Sequence, residues 1–224
     1  MEKILIVCAH PDDEILGCAG TIARLVKEGA RAYTLILGEG VTSRENWTAE
    51  ELKNLHSEAT EANRIIGVEL PIFIDDFPDN RFDSVPLLEI TKAVEKVIDA
   101  IKPDTIFTHF RNDLNIDHRI TYQAVLTATR PIGDHHVKKV NEIYSFEVLS
   151  STEWNYPTTF SPNVFYDIYG TMAHKMAAMG AYKSELREHP HPRSQSGINY
   201  NAALWGMKAG MRLAEAFEVV RILR

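Results

Sequence analysis

The 224-residue chain is 45% hydrophobic and 25% charged, inside the globular range and outside the disordered and fibrous ones. Its 24 Lys and Arg against 31 Asp and Glu leave a formal charge of −7. That argues against nucleic-acid or anionic-membrane binding, since both require a concentrated positive field; an anionic small molecule held by local arginines is not excluded. The two cysteines, Cys8 and Cys18, make neither a disulfide framework nor a CxxC zinc pattern. No apolar run approaches the ~20 residues of a membrane span, and no basic leader is read ahead of Ile4. The expectation is a cytoplasmic protein with no membrane insertion.

In chain order, Ile4 to Cys8 is a continuous apolar run, as for a strand buried on both faces of a parallel sheet. Asp13 to Lys27 carries apolar residues at helical spacing and stops at Gly29. Arg31 to Leu37 reads as a second strand. Thr48 to Ile66 reads as a second helix, with Thr48 and Glu51 at capping-box spacing. A third strand is expected over Glu69 to Ile74, a third helix over Pro86 to Ile101, a fourth strand over Asp104 to His109 and a fourth helix over His118 to Thr129. Beyond Pro131 come strands over Glu142 to Val148 and Asn163 to Ile168, then helices over Thr171 to Leu186 and Gly197 to Arg212, with Phe217 to Leu223 as a last strand or an interface. Four strand–helix alternations predict a Rossmann-like α/β fold, a mostly parallel β-sheet with helices on both faces. No repeat or linker divides the chain, so residues 1–224 are expected to be a single domain.

In open α/β sheets ligands bind beyond the carboxyl ends of the strands, so the residues after each strand carry the functional signal. After the first comes Ala9-His10-Pro11-Asp12-Asp13-Glu14, with no Gly-rich phosphate loop. Acids at a helix start are also what the macrodipole favours. Here a proline fixes the turn in front of them. After the fourth strand comes Asn112-Asp113-Leu114-Asn115-Ile116-Asp117-His118, again a histidine and an acid at a helix start. Asp117 there can equally be read as an ordinary N-cap. If strands one and four flank the topological switch point, His10, Asp12, Asp13, Asp117 and His118 meet at one crevice. Two imidazoles and a carboxylate are a common catalytic zinc set, and spare carboxylates can take a water's proton.

The first motif resembles the signature of the PIG-L/LmbE-like zinc-dependent N-acetylglucosaminyl de-N-acetylases, and Asn115-Ile116-Asp117-His118 resembles a variant of their HxDH-type motif. The resemblance implies His10, Asp13 and His118 as metal ligands, Zn2+ as the cofactor with Fe2+ also accommodated, Asp12 as general base, and Asp117 as a residue supporting a ligand. It implies removal of an acetyl group from an N-acetylated amino sugar or sugar conjugate. Two alternatives stand beside it: an amidase for a larger thiol-sugar conjugate, or a decayed sugar-binding protein. The departure is Asn115, where many relatives carry histidine. Asparagine can donate to an oxyanion but cannot deliver a proton, so protonated Asp12, His109, His189 and His191 all remain candidates for the acid.

Around this centre, Arg44 after strand two, Arg81 after strand three and Arg111 beside the second motif suit a sugar hydroxyl or a phosphate. The string His189-Pro190-His191-Pro192-Arg193-Ser194 cannot be helical. It is expected to bring His189, His191 and Arg193 to the substrate. Trp154 and Tyr156 can stack on a sugar ring. His135 and His136 read as an exposed loop, and self-association into a homo-oligomer is an open expectation.

Overall fold

The computed structural model describes residues 1–69, 71–132, 140–157 and 159–224, apart from the side chains of Asp75 and Asp76. His135 and His136 lie outside the described residues. The strands are β1 (Lys3–Cys8), β2 (Arg31–Gly38), β3 (Ile72–Phe77), β4 (Thr105–His109), β5 (Glu142–Phe146), β6 (Val164–Asp167) and β7 (Ala214–Ile222). The helices are α1 (Asp13–Lys27), α2 (Ala49–Ile65), α3 (Leu87–Ile101), α4 (Ile116–Ala128), α5 (Met172–Ala181) and α6 (Gln195–Ala209). They build a single α/β domain on one seven-stranded sheet of order β3-β2-β1-β4-β5-β7-β6. Strands β1 to β5 are parallel, and β7 runs antiparallel to both β5 and β6.

The period-two rule of the strand assigns the two faces. Ile4, Ile6 and Cys8 of β1 join the core under α1, α2 and α5, while Leu5, Val7 and Ala9 join the core under α3 and α4. Apolar side chains on both sides are why β1 reads as an unbroken apolar run. Cys8 and Cys18 are free and buried. No helix among the described residues is long and apolar enough to cross a membrane.

Helix α1 lies close on the sheet because it carries glycine where it crosses. A Cβ on Gly17 would stand 2.3 Å from Phe146 Cδ2, and one on Gly20 would stand 2.9 Å from the Ile168 side chain. Helix α2 starts at the expected capping box: Thr48 accepts from the Glu51 N–H, and Glu51 accepts from the Thr48 N–H.

Several boundaries differ from the expectations, for physical reasons. Strand β3 starts at Ile72 and not at Glu69, since Pro71 has no N–H to give a ladder. Helix α5 ends at Ala181, short of the expected Leu186. There Tyr182 turns fully inward to donate its hydroxyl to Glu14, 2.6 Å away. Helix α4 begins two residues early, at Ile116, because the Asn115 side chain accepts from the Asp117 N–H as its cap. Of the residues 217–223, Phe217 to Ile222 lie in β7 and Leu223 follows it.

Candidate metal centre and crevice

The order β2-β1-β4 puts the switch point between β1 and β4, and the loops after them open on the same end of the sheet. Both histidine–acid motifs therefore face one crevice of about 200 Å³. Of its fifteen lining residues only Pro11 and Gly40 carry no polar side-chain atom.

At its floor, His10, Asp13 and His118 offer ligand atoms that all lie within 4.8 Å of one another, each residue buried. Asp13 Oδ2 is 3.7 Å from His10 Nδ1, and Asp13 Oδ1 is 3.4 Å from His118 Nε2. Asp13 Oδ1 is buried with no hydrogen-bond partner, a costly state for a carboxylate oxygen unless something cationic completes it. The second nitrogen of each imidazole has its own carboxylate. His10 Nε2 is 2.9 Å from Asp117 Oδ2 and 3.2 Å from Asp79 Oδ1, and His118 Nδ1 is 3.2 Å from Asp113 Oδ1. Carboxylates behind both rings are how proteins orient metal-binding histidines. The donor set fits a divalent cation at His10, Asp13 and His118, with Asp117 and Asp113 backing the rings.

Those carboxylates are themselves pinned. Asp117 is wholly buried and accepts from the Asn80 and Phe82 N–H groups. Asp113 accepts from the Ser151 and Thr152 hydroxyls and from the Asn115 N–H. Without a cation, desolvation would lower the His10 pKa, yet the bond to Asp117 and the nearby Asp13 and Asp79 raise it to about 9. Burial pushes the Asp13 carboxyl up, but His118, His109 and His10 outweigh it and hold it below the usual carboxylate range.

Asp12 precedes α1 with φ 93° and ψ −24°, a left-handed conformation that side chains other than glycine's rarely adopt. Two contacts hold it there. Its N–H donates to Glu14 Oε2 at 3.1 Å, and its Oδ2 accepts from Arg193 Nη1 at 2.7 Å. Burial raises the Asp12 pKa and Arg193 opposes the rise. Glu14 in turn accepts from Tyr182 and Asn63 and is fully buried, so three segments brace the turn that carries Asp12.

Asn115 lines the crevice while its amide oxygen caps α4 and its Nδ2 donates to Asn80 Oδ1 at 3.0 Å. Arg44 also lines it, bonded to Glu185 at 2.5 Å. Of the string 189–194 only Arg193 lines the crevice. His191 Nδ1 accepts from the Arg193 N–H, and exposed His189 packs edge-on near Tyr200 on the outer surface. Arg81 is exposed beside the crevice without lining it, and Arg111 turns away to Glu218 at 2.5 Å. His109 is wholly buried, stacked on His118 at 4.0 Å, and its Nε2 accepts from the Ala9 N–H. Burial and neighbouring His118 lower its pKa to about 4, so it is a neutral ring. Trp154 and Tyr156 are exposed on the segment that follows Ser150 and Ser151.

Sequence reasoning did not single out Asp113 and Glu185. Asp113 was within reach, five residues before His118 in the same motif. Glu185 had no local signal, because it enters through the early end of α5.

The fold and the buried His–Asp–His set together define an α/β domain with a candidate metal-binding cluster at its topological switch point. The chain belongs to the PIG-L family, whose profile, described as GlcNAc-PI de-N-acetylase, matches residues 5–129 and so spans both motifs. Among its relatives, a protein of Escherichia coli K12 named as the uncharacterized deacetylase YaiS is 29% identical over 189 residues, 81% of this chain and 90% of that one. The diacetylchitobiose deacetylase of Thermococcus kodakarensis is 26% identical over 227 residues, covering 98% of this chain and 84% of the relative. The fold alone is shared with GalB of Pseudomonas putida KT2440, a 4-carboxy-2-hydroxymuconate hydratase. That structure has TM-score 0.79 and 20% identity, covering all of this chain and 99% of the other.

Proposed function

We propose that this chain is a zinc-dependent N-deacetylase that hydrolyses the acetamide of an N-acetylated amino sugar or sugar conjugate. The observation that carries the reading is the unpartnered Asp13 oxygen between two carboxylate-backed histidines, with Asp12 beside it at the crevice floor. Membership of the PIG-L family and two relatives named as deacetylases support it. A divalent cation held by His10, Asp13 and His118 would supply a Lewis acid for the acetyl carbonyl and lower the pKa of a water. A set of two imidazoles and a carboxylate would suit zinc, and Fe2+ also fits such ligands.

The chain's own groups supply the rest. Asp12 is adjacent in sequence to Asp13 yet bonded to Arg193, so its carboxylate is free of ligand duty and takes a proton from the attacking water. The water oxygen bonds to the acetyl carbon. Collapse then breaks the C–N bond, giving acetate and a sugar amine. Protonated Asp12 returns the proton to the departing nitrogen, acting as base and then as acid. This assigns the acid without Asn115 and without His109, which is neutral and behind His118. Asn115 has a second N–H beyond the one given to Asn80, a donor for the developing oxyanion. Arg44 and Arg193, with Ser43, Asp79 and Asn80, present hydrogen-bonding groups to sugar hydroxyls.

The test is acetate release from N-acetylated sugars together with metal analysis of the protein. Zinc-supported release that chelation abolishes and zinc restores is the expected result. Release indifferent to chelation would overturn the metal assignment.

A further inference from the structure

The arginines of the crevice look at first like anchors for a phosphate, yet both are committed to carboxylates of the chain. Arg44 Nη2 is 2.5 Å from Glu185 Oε1. Arg193 Nη1 is 2.7 Å from Asp12 Oδ2 and 3.8 Å from Glu185 Oε2, while its Nε donates to Ser150. Glu185 also has Arg187 at 3.7 Å. A further carboxylate, Asp79, faces the crevice, accepting from Ser43 Oγ at 2.5 Å and lying near His10. The other arginines near this end are engaged elsewhere or stand outside: Arg111 with Glu218, Arg119 with the Asp113 and Leu114 carbonyls, Arg81 on the surface. Among the described residues, no guanidinium lining the crevice lacks a carboxylate partner.

A phosphate entering this space would have to take an arginine from Glu185 or Asp12. It would leave that carboxylate uncompensated and stand beside Asp79 as a like charge, an arrangement that discriminates strongly in a partly desolvated site. Paired side chains still offer hydrogen bonds to hydroxyls, and a substrate amine formed by hydrolysis is a cation that acidic walls tolerate. Resting on the deacetylase reading above, we propose that the crevice selects an uncharged N-acetylated sugar and rejects sugars with a phosphate within reach of the Arg44–Glu185 pair. Glu185, a residue without a metal or proton-transfer role, is the determinant.

The experiment compares N-acetylglucosamine and diacetylchitobiose with the 1-phosphate and 6-phosphate of N-acetylglucosamine on the zinc-loaded protein. Both kcat/KM and the dissociation constant are measured, the latter calorimetrically on the zinc-loaded wild type with the unreactive amine products, glucosamine and its 1-phosphate and 6-phosphate, so that Asp12 stays paired with Arg193. The neutral sugars should lead in kcat/KM by tenfold or more, on the order of the cost of a like-charge contact. Raising ionic strength should improve kcat/KM for the phosphorylated sugars and leave the neutral ones flat. Glu185→Gln should narrow the gap by freeing Arg44. Equal or tighter binding of the phosphorylated sugars, or a gap that ignores both salt and Glu185→Gln, would overturn the inference. Binding that discriminates as expected without acetate release from any sugar would sustain the selection and sink the reaction assigned above, so the two failures are distinct.

Discussion

Asp12 and Asp13 are neighbours in sequence with the same chemistry, and the fold gives them opposite surroundings. Asp13 faces three imidazoles, whereas Asp12 is wrapped in a left-handed turn against Arg193. Asp12→Asn is therefore expected to keep its metal and lose 10²- to 10⁴-fold in turnover, about the worth of a general base, while His10→Ala and His118→Ala lose the metal. Elemental analysis beside acetate release checks this, and loss of metal from Asp12→Asn would reverse the roles. Asp113→Ala should weaken metal binding about 10- to 100-fold by releasing the His118 ring, read by competition with a chelator. Glu14 gives a prediction on stability. Burial lifts its carboxyl to about 7 against the bonds from Tyr182 and Asn63. A raised acid is favoured neutral in the fold, so its stabilisation is whole below the unfolded value near 4.5 and is lost as pH climbs through about 7. The difference is worth roughly 3 kcal/mol at about 1.4 kcal/mol per pH unit. In chelated protein, urea unfolding should show wild type losing that margin relative to Glu14→Gln between about pH 4.5 and about pH 7. Parallel pH curves for the two proteins would contradict it.

At the scale of the element, α1 sets how closely the Asp12–Asp13 turn sits over the sheet, and its glycines set the height. Gly17→Ala drives a Cβ into the Phe146 ring and should cost about 1–3 kcal/mol as overpacking. Gly180→Ala, in α5 with open space around its Cβ, should be neutral or stabilise by up to about 1 kcal/mol on helix propensity. Thermal or urea unfolding of the two variants separates close packing from propensity, and equal effects would refute the account of α1. The strand–helix order through α4 was legible from the sequence because apolar period and capping residues are local signals: β1 by its apolar run, α2 by Thr48 and Glu51. The end of α5 was not, because Tyr182 leaves the helix for a partner 168 residues away, Glu14. The candidate site divides the same way. His10, Asp12, Asp13 and His118 are written into two short motifs, whereas the partners of Arg44 and Arg111 are Glu185 and Glu218, which only the folded chain brings near. An arginine placed beside a motif says nothing of whether it is already paired, and so Arg111 read as a binding residue.

Across the whole molecule, a parallel sheet collects two distant motifs at one switch point, and the charge gathered there is balanced only in part by the chain. His10 carries a proton near neutral pH in the metal-free state because Asp117, Asp13 and Asp79 surround it. Binding of a divalent cation should therefore release roughly one proton near neutral pH, as a ligand must be deprotonated to bind. Calorimetric titration with zinc in buffers of different ionisation enthalpy measures it, and buffer-independent heats would mean that His10 binds no proton or takes no part. The same fold is found in a hydratase, so the fold does not establish the reaction. The most direct measurement is acetate release by zinc-loaded protein from N-acetylglucosamine and diacetylchitobiose, with Asp12→Asn as the control. Release by the wild type, lost in that variant at equal metal content, is the predicted result. No acetate from any neutral N-acetylated sugar with zinc bound, or equal release by Asp12→Asn, would contradict the central claim.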